Sequence, residues 1–262
     1  MTRHELPRRP FTVLERSVAA VGFGAFKLGR NEGTKYGRAY DLPGDVESAR
    51  LLNEVLDLGM DVVDTAPAYG LSEARVGAAL AARRSEFVIS TKAGEEWIGG
   101  ESVHDFSEHA IETSVCRSLV RLRASMLDAV FVHSDGRDLA VLGESDAVGT
   151  LDRLRRQGLL RAVGFSGKSV EGGLAALADP RIDAVMVEYN PLVPAQRPVL
   201  DAAGELGKAV FVKKPLASGA VPPAEAIPFA LAHPAVTCIL VGGLRADHLD
   251  EVCRIAVRAS AG

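Results

Sequence analysis

The chain is 262 residues long, 47% hydrophobic and 24% charged, the make-up of an ordinary globular protein that can bury a large core without disulfides or structural metals. Acidic residues outnumber basic ones, 34 to 30, which argues against the broadly basic surface that non-specific nucleic-acid binding requires. No run reaches the ~18 apolar residues of a membrane span, and Met1–Pro10 leads into no apolar segment of the kind a secretory signal carries.

Along the chain, short apolar runs alternate with longer amphipathic stretches. Ser17–Phe23 is the first run, followed by a long loop, Lys27–Gly44, that carries Tyr36 and Tyr40. Asp45 reads as the N-cap of a helix burying Leu51, Leu52, Val55 and Leu56, with Gly59 placed as its C′ glycine. Asp61–Asp64 is the second run, and a helix opens at Ser72 with Glu73, Val76 and Leu80 at helical spacing. The third run, Phe87–Thr91, passes into Lys92 and a second long loop, Glu95–Asp105, which holds the only tryptophan, Trp97. Ser107 then leads into Ile111, Val115, Leu119 and Leu122. The remaining runs are Leu127–Val132, Arg161–Phe165, Ala184–Val187, Ala209–Val212 and Thr237–Val241. Helical patterns follow them over Ser145–Arg156, Ser169–Leu177, Gln196–Leu206, Ala224–Ala232 and Ala246–Val257.

Several runs, such as Ala129-Val130-Phe131-Val132, are continuously apolar, which suits strands buried on both faces of a parallel sheet. Eight strands each followed by a helix predict an α/β fold, a closed (β/α)8 TIM barrel forming a single domain over residues 1–262, with an open doubly wound sheet as the alternative. A barrel places chemistry at the C-terminal ends of its strands. There the sequence offers Asp64, Tyr69 in the loop Asp64-Thr65-Ala66-Pro67-Ala68-Tyr69-Gly70, Lys92 and His133.

An acid, a phenol, an amine and an imidazole at one rim make chemical sense together. A tyrosine hydroxyl has an ordinary pKa of ~10; a nearby ammonium lowers it, and a carboxylate keeps that ammonium charged and fixed. The histidine can bond and orient a carbonyl oxygen. Such a group polarises C=O and protonates the oxygen as carbon is attacked. Since no protein nucleophile stands at hand, a hydride from a cofactor is the natural attacker.

On these residues the chain resembles the aldo-keto reductases. The likeness rests on Asp64–Glu73, Ser90-Thr91-Lys92-Ala93-Gly94, Leu127–His133 and Val163-Gly164-Phe165-Ser166. It continues through Glu188-Tyr189-Asn190-Pro191, Val212–Gly219 and Leu240–Glu251, in the family's order. The resemblance implies a barrel that reduces small aldehydes or ketones to alcohols with NADPH, NADH being the alternative. It makes Tyr69 the general acid, Asp64 and Lys92 its tuners and His133 the residue that positions the carbonyl. It also implies a cofactor site from Gly24, Phe26, Asp64, Ser166, Gly167, Met186, Lys213, Pro215, Leu216, Ser218, Gly219, Gly242, Gly243, Arg245, His248 and Glu251.

Three nicotinamide contacts depart from the family pattern. Gly167 stands for an asparagine, Met186 for a glutamine and Lys213 for the stacking aromatic. His248 stands where an arginine is usual, and Val252 where an asparagine is common. These departures keep open a second class, a barrel that binds NADP(H) as a sensor or regulatory subunit with little turnover. A metal-dependent hydrolase is disfavoured because His104 and His109 lack strand-end spacing. A glycosidase using Asp64 and Glu188 leaves Tyr69, Lys92 and His133 unexplained. No metal, nucleic acid or membrane partner is expected. A monomer is favoured over an assembly. Cys116, Cys238 and Cys253, odd in number and without Cys-x-x-Cys spacing, read as free thiols in a reducing cytoplasm.

Overall fold

A computed structural model describes residues 2–34 and 39–260; Tyr36, noted above, lies outside the described residues. The chain opens with an antiparallel hairpin, β1 (Arg8–Phe11) and β2 (Arg16–Ala19). The run Ser17–Phe23, expected as one strand, is therefore divided. It bends at Ala20, and only β3 (Val21–Gly24) enters the barrel. Asp61 holds the bend, accepting the Ala19 N–H at 2.7 Å and the Arg8 guanidinium at 2.7 Å.

From there helix and strand alternate. They are α1 (Asp45–Asp57), β4 (Val62–Asp64), α2 (Ser72–Leu80), β5 (Val88–Ala93), a second hairpin of β6 (Glu95–Ile98) and β7 (Glu101–His104), and α3 (Glu108–Arg121). Then come β8 (Leu127–His133), α4 (Asp138–Glu144), α5 (Ala147–Arg156), β9 (Leu160–Ser166), α6 (Val170–Ala178) and β10 (Ala184–Glu188). The chain ends with α7 (Arg197–Glu205), β11 (Ala209–Lys213), α8 (Pro223–Leu231), β12 (Val236–Val241) and α9 (Ala246–Ala259). The barrel closes in the order β10-β11-β12-β3-β4-β5-β8-β9, every neighbour parallel. The long stretch Glu95–Asp105 is thus mostly a hairpin rather than a loop, and α4 is a helix the apolar spacing did not signal.

Helix ends follow the local chemistry. Ser107 and Ser169 cap α3 and α6, their hydroxyls accepting from the N–H groups of Ala110 and Gly172. Gly59 takes φ +101° just past α1, the left-handed turn glycine permits. Gly44, not Asp45, is the N-cap of α1; Asp45 is the first helical residue, where its charge favours the positive end of the helix dipole, and it pairs with Arg75 at 2.9 Å.

Two apolar layers explain the continuous runs. Val63, Ile89, Val130, Val132, Val163, Val185, Val210, Val212 and Ile239 pack outward under the helices. Their neighbours Val62, Val88, Ala129, Phe131, Ala162, Ala184, Met186, Phe211 and Cys238 form a separate cluster inside the barrel. The first hairpin plugs the lower end of that cluster with Phe11, whose ring meets Phe211 at 5.4 Å; Phe131 meets Phe211 at 5.4 Å. A Cβ on Gly164 would fall 2.3 Å from the Phe131 ring, so glycine makes room for that side chain. Truncating Phe131 to alanine is expected to cost about 3–5 kcal/mol.

Side chains alternate between faces of a strand. The last interior positions of these strands, above the apolar plug, are therefore Asp64, Lys92, His133, Ser166, Glu188 and Lys213. The barrel ends in a polar ring at its C-terminal mouth.

Among the described residues no helix is long and apolar enough to cross a membrane, and no group of three or more His, Cys, Asp or Glu side chains suits a metal ion. The three cysteines are free, Cys116 exposed and the other two buried.

Candidate active site

Lys92 is the centre of the early half of the ring. Its ammonium donates to both Asp64 oxygens, at 2.9 and 2.8 Å, and to the Thr65 carbonyl at 2.9 Å. Ser90 donates to Asp64 Oδ1 at 2.8 Å. Burial alone would lower the Lys92 pKa, but Asp64 and then Tyr69 more than reverse this and raise it. An amine held in its charged form at neutral pH therefore sits 4.7 Å from the centre of the Tyr69 ring.

Tyr69 stands on a one-turn helix, Pro67–Tyr69. Gly70 follows with φ +59°, and a Cβ on Gly29 would lie 2.0 Å from the Tyr69 carbonyl. The tyrosine turn and the segment after β3 thus meet backbone to backbone, which two glycines allow. Ser72 ties the same turn down, accepting from Thr65 Oγ1 at 2.8 Å and donating to the Ala25 carbonyl at 2.9 Å. Glu73 is fully buried and accepts from Thr91 Oγ1 at 2.7 Å. The Ser-Glu pair beside the tyrosine is a brace between α2, β4 and β5.

Burial pushes the Tyr69 hydroxyl up to about 12, with Lys92 pulling the other way. The lowering expected from the lysine is real but smaller than the effect of burial. His133 faces Tyr69, ring centres 6.4 Å apart. Burial lowers its pKa to about 4, with Glu95 opposing the shift. Asp64, Tyr69, Lys92 and His133 are therefore brought together as expected.

The later strands complete the rim. Lys213 Nζ donates to Ser166 Oγ at 3.0 Å and to the Gly167 carbonyl at 2.9 Å. Burial, with Lys214, Lys92 and Lys168 nearby, lowers its pKa to about 7. Glu188, the rim residue of β10, pairs with Lys214 at 2.8 Å instead. Met186 lies one step lower, 1% exposed within the interior cluster, so its strand reaches the mouth through Glu188.

Beyond β11 the chain turns through Pro215 and Leu216 with left-handed backbone at Lys214, Ala217, Ser218 and Gly219, a concentration of strain typical of ligand-binding turns. Gly24 and Gly242 face each other; a Cβ on Gly242 would lie 3.0 Å from the Gly24 carbonyl, so bare backbone floors this side of the mouth. Phe26 packs edge-on against Tyr69, centres 4.9 Å apart. Gly243 leads toward α9, where Arg245, His248 and Glu251 are exposed, and Arg245 donates to Asp247 at 3.0 Å. A glycine-floored track with amines and N–H groups along it fits an extended dinucleotide.

Sequence reasoning missed three contributors. Glu95, at the start of the second hairpin, puts Oε2 2.8 Å from His133 Nδ1 and accepts from Ser102 at 2.7 Å. Arg30 is buried, donates to the Ala68 carbonyl at 3.1 Å, and stacks 3.2 Å from the centre of the Trp97 ring. The two long connections, after β3 and after β5, therefore meet beside the tyrosine turn. Asp138 accepts from the N–H groups of Lys168 and Ser169, at 2.8 and 2.7 Å, and fixes the turn after Ser166. The only sequence signal for Glu95 was an acid close behind Lys92.

Comparison with known proteins agrees with this geometry. The family model for the aldo/keto reductase family matches residues 20–227. A solved Pseudomonas aeruginosa protein assigned to the aldo-keto reductases is 41% identical, covering 99% of this chain and 98% of that one with a TM-score of 0.90. D-threo-aldose 1-dehydrogenase of a Pseudomonas species is 28% identical over 242 residues, 80% of this chain and 69% of that protein. An NADH-specific methylglyoxal reductase of Escherichia coli is 25% identical over 227 residues, 80% of this chain and 67% of that protein.

Proposed function

The chain belongs to the aldo/keto reductase family, an NAD(P)H-dependent oxidoreductase, and from that premise we propose that it reduces small aldehydes or ketones to alcohols as a single barrel domain with Tyr69 as the proton donor. One observation carries the reading: an ammonium locked by Asp64 and the Thr65 carbonyl lies 4.7 Å from the ring of a tyrosine whose hydroxyl is held at about 12.

When bound, a reduced nicotinamide supplies the hydride. Ser166, Gly167 and Lys213 would meet its carboxamide end, the turn Lys214–Gly219 its pyrophosphate, and Gly242, Gly243, Arg245, His248 and Glu251 its adenosine half. The rest of the work belongs to the early strands. Tyr69 keeps its proton at neutral pH and gives it to the oxygen as negative charge develops there, an alkoxide being far more basic than a phenolate. Lys92 then stabilises the phenolate left behind, and Asp64 holds Lys92 in place. His133 lines the oxygen side of the substrate, and Arg30 with Trp97 roofs the mouth. The relatives are named for an aldose 1-dehydrogenase and a methylglyoxal reductase, one name for an oxidation and one for a reduction. NADPH is the proposed cofactor and NADH the alternative.

Reduced-nicotinamide consumption with a panel of small aldehydes tests the reading. Tyr69→Phe is expected to lower turnover by about 10²–10⁴ while cofactor binding, followed by nicotinamide fluorescence, stays unchanged. Undiminished turnover in that variant overturns the tyrosine assignment. Tight binding with no turnover of any carbonyl favours the sensor reading, for which the Lys213–Ser166 bond across the carboxamide end is the structural argument.

A further inference from the structure

Lys213 is the last interior residue of β11, so its amine enters the barrel mouth rather than open solvent, and the residue stays partly exposed there. Its Nζ donates to Ser166 Oγ at 3.0 Å and to the Gly167 carbonyl at 2.9 Å, both uncharged. The charges that face it are Lys214, next in the chain, Lys92 from β5, Lys168 from the turn after β9, and Glu188 from β10. Glu188 favours an ammonium but is spent on Lys214 at 2.8 Å. His133 from β8 shares the mouth and is neutral, its pKa lowered to about 4 chiefly by burial.

Attack on a carbonyl carbon needs the lone pair of a neutral amine. A lysine at the ordinary 10.5 is neutral in about one molecule in 3,000 at pH 7. Burial and three like charges bring Lys213 to about 7, where about half of it is neutral. Desolvation and a cationic neighbour are the two devices that turn a lysine into a Schiff-base nucleophile. The other rim amines lack that state: Asp64 keeps Lys92 charged, and Glu188 pairs with Lys214.

We infer that Lys213 is a covalent binding site for small aldehydes: with the cofactor absent, its amine captures an aldehyde in the mouth as an imine. The nitrogen lone pair forms a C–N bond to the carbonyl carbon while the C=O π electrons move to oxygen. That oxygen takes one proton from nitrogen by way of Ser166 Oγ, which accepts from Nζ and donates onward. The second N–H proton leaves with the hydroxyl as water while C=N closes, and nothing is oxidised or reduced. The imine occupies the place proposed above for the nicotinamide carboxamide, so imine and cofactor exclude each other. That exclusion rests on the proposed cofactor placement; the capture itself needs no hydride donor.

Trapping tests it. Protein incubated with propanal and then pulsed with borohydride keeps each imine as a propyl-lysine that peptide mass spectrometry locates. At pH 7, Lys213 is expected to label about tenfold faster than Lys168 or Lys214, at a rate that levels off above about 7. Saturating NADP⁺ is expected to suppress the label at Lys213 alone, and Lys213→Arg, which keeps the charge, to lose it. Labelling of Lys213 no faster than Lys168, or a rate that climbs to about 10.5 as for an ordinary lysine, overturns the inference. A label untouched by bound NADP⁺ overturns the exclusion. A chain that reduces no aldehyde yet labels at Lys213 loses the reductase reading and keeps this one, and turnover without the label does the reverse.

Discussion

Two lysines stand on the rim of one barrel, and the protein treats their charges in opposite ways. Lys92, on β5, spends its ammonium on Asp64 and a carbonyl, and its pKa is raised. Lys213, on β11, has a hydroxyl and a carbonyl but no carboxylate, and its pKa falls to about 7. The one carboxylate near it on the rim, Glu188, pairs with Lys214. Burial penalises both ammonium groups, so the neighbouring carboxylate decides the sign. The early half of the rim is built to keep a charge, and the late half holds a charge that ambient pH can remove.

The largest effect expected from breaking this contrast is at Lys92. Lys92→Met leaves Asp64 buried with Ser90 as its remaining side-chain donor, a loss of about 3–5 kcal/mol for an orphaned buried charge. It also removes the group that draws the Tyr69 pKa down, so activity should fall with stability; urea unfolding and turnover together check it. Lys213→Met is expected to go the other way. The folded Lys213 pKa lies below the ordinary 10.5, at about 7, so between those values the unfolded chain binds more protons and stability rises with pH. Below pH 7 the folded state carries the whole penalty of the buried charge. The variant should therefore exceed the wild type most below pH 7, by on the order of 1–4 kcal/mol, and the gap should close as pH approaches 10.5. Melting curves at both ends of that window check it. An advantage independent of pH would show that Lys213 is not the titrating group.

The two halves also differ in how much of them was legible. Asp64, Lys92 and His133 each close an apolar run, and once the strand period is two, the last inward residue must face the mouth. At β10 the apolar run read from the sequence stops at Val187, while the strand continues to Glu188, which holds the next inward position above Met186. The first run was misread for another reason. From Val18 to Phe23 the run carries no polar side chain to mark a break, and the grip of Asp61 on Ala19, which holds its bend, is tertiary. Glu95 and Arg30 were beyond reach because they enter from connections, where no period ties a residue to its partner. Glu95 meets a histidine on β8 across the intervening α3, and Arg30 meets Trp97 of the second hairpin.

The smallest effect expected lies at the far end of the late half and sharpens its contrast with the fixed charges of the early half. Arg245, proposed above to meet the adenosine half, is a basic residue suited to the 2′-phosphate that distinguishes NADPH from NADH; it is exposed and already donates to Asp247 at 3.0 Å. Asp247 is drawn down to about 2 by that contact, so it stays ionised at any working pH and competes with a phosphate for the guanidinium. Asp247→Asn removes the competitor and one negative charge beside the same site. Solvent screens both contributions, and exposed pairs are weak, so the preference for NADPH over NADH should rise by no more than about fivefold. The ratio of the two cofactors' dissociation constants, measured with and without added salt, checks it. A gain that shrinks with salt identifies Arg245 as the reader, and an unchanged ratio moves 2′-phosphate recognition elsewhere on the rim.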